Sequence, residues 1–403
     1  AGDDTMQAMD LSARVRRIGE SATLKVTRRA MQMKAQGIDV IDFGAGEPDF
    51  ASPAVAVEAA RKALADGFTK YTQNQGIPAL RQALAKRYAG QYGAPWNADQ
   101  TLITVGGKGA LFELALALFE EGQEVVVHTP AWVSIPEQIR FAGATVVEVP
   151  TSGADGFAVD PEAMLAAITS RTRAVILNSP CNPTGGMISP AALAAIVEGC
   201  AARGVLVISD ETYERFVYDG QRPFSAAALA GRFPDTVVVV GSFSKTYAMT
   251  GWRLGYLLGP RELTDAAATI QGHATSNATS FAMVGALAAL EHAEPEVEAM
   301  ITEYEARRNV VVPRLNALPG FSCLPPSGAF YAFPDVSACF RTDDSGEPEG
   351  STRFAERLLE EAHVAVVAGS AFGGDNHIRI SFACSRENLA EGFRRIEEFL
   401  ARG

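Results

Sequence analysis

The sequence predicts an α/β protein: a large domain around a mostly parallel, seven-stranded sheet between helices, with a smaller α+β domain beside it. Three observations carry this. Short runs rich in β-branched residues recur at 101–105, 125–128, 145–149, 174–177, 205–209 and 237–240, and the apolar stretch 255–258 is a candidate for one more strand. Helical segments separate most of them, the alternation that builds parallel sheets. Several runs are apolar at every position, as strands covered on both faces must be.

The elements follow in order. Residues 1–14 form a loose, acidic N-terminal segment. Ser52-Pro53 predicts a helix start, a capping hydroxyl followed by proline at the first helical position, with Gly67 as the stop. A second helix is expected after Gly76-Ile77-Pro78, with Leu80, Leu84 and Tyr88 on one face. The strand–helix alternation then runs to about 260. After about 285 the character changes: a long helix rich in Glu and Arg over 293–315, strands at 364–367 and 378–382 flanking a glycine-rich turn at 369–374, and a final amphipathic helix after Ser385 presenting Leu389, Phe393, Ile396 and Leu400. The stretch 343–350 reads as a polar surface loop. The expected division is a large domain at 53–290 and a small one from 15–52 together with 291–403.

Composition narrows the function. The 403 residues are 47% apolar and 20% charged, enough to bury a sizeable core. The net charge of −12, with no Lys/Arg cluster against it, disfavours nucleic acid and anionic membranes as partners. No apolar stretch is long enough to span a bilayer, and AGDDTMQAMD at the start does not resemble a secretion signal. Five cysteines without a CxxC predict reduced, mostly buried thiols, no metal site and a cytoplasmic protein.

The residues suited to chemistry follow strands, where ligands bind in such folds. GSFSKTYAMTGWR at 241–253 offers Ser242 and Ser244, then Lys245 and Arg253. Hydroxyls and an arginine suit a phosphate, and a lysine beside them suits a Schiff base with a phosphorylated aldehyde; taken alone, the segment reads better as a solvated lysine after a strand. ISDETY at 208–213 places Asp210 at a strand end and Tyr213 three residues on, an acid that suits a protonated ring nitrogen and a phenol that suits a ring hydroxyl; taken alone, a helix cap and a half-buried tyrosine are the stronger reading. NSPCNPTGG at 178–186 is a turn by composition, but a specific one. GGKG at 106–109 precedes a helix expected near Ala110, where backbone N–H groups bind phosphate.

Asn182, Asp210, Tyr213, Lys245 and Arg253, at separations of 28, 3, 32 and 8 residues, together resemble the class I, fold-type-I aminotransferases. The resemblance runs from Thr23 and GAGEPDF at 44–50 through Arg379. It implies pyridoxal 5'-phosphate as cofactor and a ping-pong exchange of an amino group. Lys245 would hold the cofactor as a Schiff base and then move a proton. Asp210 would keep the pyridine nitrogen protonated, so that the ring withdraws electrons. Tyr213 and Asn182 would bond the ring's 3'-oxygen, and Trp132 would stack on the ring. Gly107, the Lys108 backbone, Ser242, Ser244 and Arg253 would hold the phosphate. Tyr71 matches a tyrosine that reaches the phosphate in the neighbouring subunit, which implies a homodimer. Arg379, in HIRIS at 377–381, would bind the substrate α-carboxylate with help from the Gly46 backbone.

For the substrate, no arginine lies around 271–280 to grip a distal carboxylate from a partner. The sequence is similar instead to the branch in which the lysine of a GGK string and a threonine near the N-terminus do so, here Lys108 and Thr23. That branch holds aspartate and aspartate/prephenate aminotransferases. The expectation is aspartate or glutamate as donor and 2-oxoglutarate as acceptor, with prephenate as a further partner. Alternatives are an aminotransferase for neutral or aromatic amino acids, or a C–S β-lyase on the same scaffold.

Overall fold

A computed structural model describes residues 10–19, 22–342 and 346–402, and only the backbone of 22–26. The described residues contain twelve strands: β1 (Ile41–Asp42), β2 (Thr101–Thr104), β3 (Glu124–Thr129), β4 (Thr145–Pro150), β5 (Thr172–Asn178), β6 (Leu206–Asp210), β7 (Val237–Ser242), β8 (Gly255–Leu258), β9 (Tyr331–Ala332), β10 (Val364–Ala365), β11 (Val367–Ala368) and β12 (Ile378–Ser381). Seven of them form one sheet in the order β2-β8-β7-β6-β5-β3-β4, the sheet expected from the six runs and the candidate strand at 255–258. Strands β3 to β7 pair in parallel, while β8 runs antiparallel to both β7 and β2. The segment linking β7 to β8 holds only short helical turns, so no long helix crosses the sheet to bring β8 back in parallel.

The all-apolar runs have a simple reason. Alternate residues point to opposite faces. Val126, Val175, Val207 and Val239 enter one core, and Val125, Ala174, Ile208 and Val238 enter the other. Each fully buried valine contributes about 1.5–3 kcal/mol of apolar burial, so both faces select for apolar residues.

A third core joins Ile41 and Phe43 to Tyr304, Phe330, Phe354, Ile380, Phe393 and Ile396. Over it lie an antiparallel sheet, β11-β12-β9, and the parallel pair β1–β10. The expected single strand at 364–367 is thus two: Val364–Ala365 pairs with β1 and Val367–Ala368 with β12. The local pattern reads as one run, but its hydrogen-bond partners lie in different sheets.

Helix Ala54–Ala65 starts one residue later than expected, with Pro53 at the cap position, and Ser52 does not cap it. Its hydroxyl donates to the Ala248 carbonyl (2.8 Å) and accepts from the Trp252 indole (3.0 Å), tying this corner to the segment after Lys245. Leu80, Leu84 and Tyr88 are fully buried on helix Pro78–Tyr92. The last helix, Arg386–Ala401, is capped by Ser385, whose hydroxyl accepts from Asn388 N–H. Residues 343–345 of the expected loop at 343–350 and residues 1–9 of the expected N-terminal segment lie outside the described residues.

Candidate active site

The parallel register sets Asn178 beside Asp210 at the carboxyl ends of β5 and β6, and β7 ends next to them at Ser242. The sheet order reverses between β3 and β5, the place where such folds bind ligands. There a cavity of about 580 Å³ is lined by Gly46, Gly107, Lys108, Trp132, Asn182, Asp210, Tyr213, Ser242, Ser244, Lys245, Arg253 and Arg379. These are twelve of the fourteen expected site residues. Tyr71 is not among them and is 88% exposed. The Thr23 side chain lies outside the described residues.

One wall is an anion seat. The helix after β2 begins at Gly106, not near Ala110, so Gly106, Gly107 and Lys108 form its first turn. Gly106 has φ +75°, and a Cβ there would lie 2.4 Å from an Arg253 guanidinium nitrogen. A Cβ on Gly107 would press on Ser242, Thr212 and the Gly241 carbonyl at 3.3–3.4 Å. Glycine therefore lets free N–H groups, hydroxyls and a guanidinium converge. The Ser242 hydroxyl accepts from Ser244 N–H at 3.0 Å, and Arg253, at φ +58°, donates to the Thr250 carbonyl at 2.8 Å.

Opposite lie the groups that move or hold protons. Lys245 donates to the Gly46 carbonyl. Burial pulls its amine down to about 8, against the opposing pull of Glu47. Burial raises the Asp210 carboxyl to about 6, although Thr212 donates to it through N–H (3.1 Å) and hydroxyl (2.8 Å). The Thr212 donors favour the anion without outweighing burial, and a cationic partner would add the stabilisation that is missing. The Tyr213 hydroxyl pairs with that of Tyr331 at 2.7 Å. Lys108 places its ammonium 4.9 Å from the centre of the Trp132 ring.

Arg379 is the most buried cation of the site, 2% exposed. It donates to Asn182 Oδ1 (2.9 Å) and the Gly44 carbonyl (2.8 Å), stacks 4.5 Å over Tyr331, and its Nε has no partner. Because Asn182 Oδ1 is taken, its NH₂ remains the donor for a ligand. Sequence reasoning missed Thr212, Tyr331 and Asn178. Thr212 was signalled by its position two residues after an aspartate, a common side-chain turn. Tyr331 carries no local signal.

The arrangement fits a flat, phosphorylated aldehyde. The anion seat suits the phosphate, the buried carboxyl suits a ring nitrogen that can carry a proton, and a lysine of lowered basicity suits the aldehyde. The fold and site together define a pyridoxal-phosphate enzyme. Comparison with known proteins agrees. A family model described as aminotransferase class I and II matches residues 38–396. The aspartate aminotransferase of Geobacillus stearothermophilus is 41% identical over 398 residues, 97% of this chain and 99% of its own. The aspartate/prephenate aminotransferase of Thermus thermophilus is 41% identical over 395 residues, 97% and 99% of the two chains. A solved structure of Thermus thermophilus aspartate aminotransferase with maleate superposes with a TM-score of 0.91 at 41% identity, covering 97% of this chain and 100% of that one. That of the Rhizobium meliloti aspartate aminotransferase gives 0.92 at 38% identity, covering 98% and 99%. The chain belongs to the class I and II aminotransferase family, and it is a pyridoxal-phosphate-dependent aminotransferase.

Proposed function

We propose that this enzyme takes the amino group of an acidic L-amino acid, aspartate or glutamate, and passes it to 2-oxoglutarate, with prephenate as a further acceptor. The carrying observation is the number of cations at one cavity. Arg253 serves the phosphate, Lys245 the aldehyde and Arg379 an α-carboxylate, which leaves Lys108 for a second carboxylate. The names of the relatives, and the dicarboxylate maleate in the Thermus structure, support the same reading.

Gly107, the Lys108 backbone, Ser242, Ser244 and Arg253 hold the phosphate in this reading, and Trp132 covers the ring. The bound cofactor supplies an electron-withdrawing ring that stabilises the charge left at Cα. Arg379 binds the α-carboxylate through its fork, with the Gly46 backbone beside it. Lys245, with an amine near 8, is poised to take and return a proton at Cα close to neutral pH. Asp210 holds a proton on the ring nitrogen, and Tyr213 and the Asn182 NH₂ bind the ring oxygen. Lys108 and Thr23 receive the distal carboxylate.

The protein works as a cytoplasmic homodimer in which Tyr71 enters the neighbouring site. Its 88% exposure, with Val57, Leu64 and Phe68 exposed nearby in sequence, supports a partner surface. The five unbonded cysteines support the compartment, and among the described residues no helix is long and apolar enough to cross a membrane. The domain division is placed at 53–290 against 15–52 with 291–403; the core that gathers Ile41 and Phe43 with Phe330, Phe354 and Ile396 supports it, with Tyr213, Phe216 and Tyr218 packing into that core from the large domain.

The test is the visible absorption spectrum of the purified protein. A yellow band that bleaches with L-aspartate and returns with 2-oxoglutarate supports both half-reactions. A yellow protein that aspartate leaves unchanged overturns the acidic specificity.

A further inference from the structure

His128 lies at the end of β3, 4% exposed, and none of the cofactor or substrate roles uses it. Its Nε2 accepts the backbone N–H of Asn178 at 3.1 Å. The β3–β5 ladder has its last paired residues at Val127 and Ile176. Asn178 lies beyond that rung, where a buried N–H without a partner would be costly. The imidazole supplies the acceptor that the strand no longer provides.

What hangs on Asn178 makes this bond consequential. The Asn178 Nδ2 donates to the Asp210 carbonyl at 3.1 Å, and its Oδ1 accepts from Asn182 N–H at 2.9 Å. Asn182 Oδ1 in turn accepts from Arg379 at 2.9 Å. One continuous chain of hydrogen bonds therefore runs from His128 through Asn178 to both the carboxyl strand end and the carboxylate clamp. Its links are of ordinary length and all buried, so a shift at one end is carried to the next.

We propose that His128 is a positioning residue, whose imidazole holds the Asn178 amide and thereby sets Asp210 and Asn182 for the bound cofactor and substrate. The consequence for catalysis rests on the function proposed above; the hydrogen bond does not. An Nε2 that accepts must be unprotonated, so the ring is neutral with its proton on Nδ1. Burial supports this by pushing the imidazole down to about 4.

Two measurements test the assignment. Long-range ¹⁵N–¹H correlation spectra of the histidine-labelled protein, assigned by the loss of one signal in His128→Phe or His128→Gln, should show His128 as the neutral Nδ1–H tautomer at pH 7. A neutral Nε2–H ring or a protonated ring there overturns the proposal. In the holoenzyme, His128→Phe keeps a ring and removes the acceptor. It should lower kcat/KM for aspartate about tenfold and shift the pH midpoint of the visible band by at least about half a unit, because Asp210 and Asn182 loosen together. His128→Gln restores an acceptor at similar reach and should return both readouts most of the way. Equal losses in His128→Phe and His128→Gln, or a His128→Phe enzyme with wild-type kcat/KM and midpoint, overturn it. A wild-type protein with no visible band or no bleaching refutes the proposed function instead, and the tautomer measurement still reads the hydrogen bond.

Discussion

Replacing Arg379 by lysine keeps one positive charge and removes the planar fork, which makes it a sharp test of the carboxylate clamp. Arg379 uses two nitrogens on Asn182 and Gly44, is 2% exposed, and has an unpartnered Nε. A lysine ammonium is a single point donor and cannot serve Asn182, Gly44 and a bidentate carboxylate together. One charge-assisted hydrogen bond to the substrate is lost, worth about 1.5–3 kcal/mol, and a buried acceptor is left short of a donor at about 1–3 kcal/mol. Part of the second cost falls equally on free enzyme and complex, so about 2–4 kcal/mol remains in kcat/KM, roughly 30- to 1,000-fold. The assay is the single-turnover rate of bleaching of the visible band against L-aspartate concentration, with cofactor affinity measured separately. Arg379→Lys should lose kcat/KM within that range and keep cofactor affinity within about threefold, since its fork faces the substrate. A kcat/KM within about threefold of wild type would refute the clamp.

Three further outcomes are expected. Lys108→Ala should raise KM for aspartate by at least about tenfold and change KM little for a neutral amino acid, since it removes one charge contact to the distal carboxylate; equal effects on both would assign Lys108 to the phosphate seat alone. Without cofactor, the folded state holds a proton on Asp210 up to about pH 6, whereas the unfolded chain releases it near the ordinary 3.8. Folding stability should therefore fall as pH rises through that window, by up to about 3 kcal/mol, and Asp210→Asn should remove that fall; parallel urea-unfolding profiles for the two apoproteins would contradict the burial of the carboxyl. Mixing inactive Lys245→Ala with weakened Tyr71→Ala subunits should recover about a quarter of wild-type activity by random reassortment, because hybrid dimers contain one intact site; no recovery after subunit exchange would show that Tyr71 does not serve the neighbouring site.

Much of the fold and of the site is legible in the amino-acid sequence. The sheet is legible because Val125–Val126, Ala174–Val175 and Val238–Val239 send neighbours into two different cores, which forces unbroken apolar runs. The site is legible because its polar residues sit just after those runs, and strand ends converge by construction. Less is legible where a residue's partner is distant. Ser52 has the sequence of a helix cap and instead ties to Trp252 and Ala248, since those groups arrive from almost two hundred residues away. The run 364–367 has one pattern and two partners. The start of the helix at Gly106 is hidden by glycine's poor helix propensity, which close packing against Arg253 and Ser242 overrides.

The sequence by itself determined which stretches become buried strands, which polar residues stand at their ends, and hence the family and its chemistry. Those are properties of short segments, set by side-chain period and turn chemistry. Only the tertiary structure decided that β8 returns antiparallel, that Tyr331 meets Tyr213, that Arg379 is buried beside Asn182, and that His128 completes the end of β5. Each of these joins residues far apart in the chain, and such contacts exist only once the sheet order has brought their strands side by side.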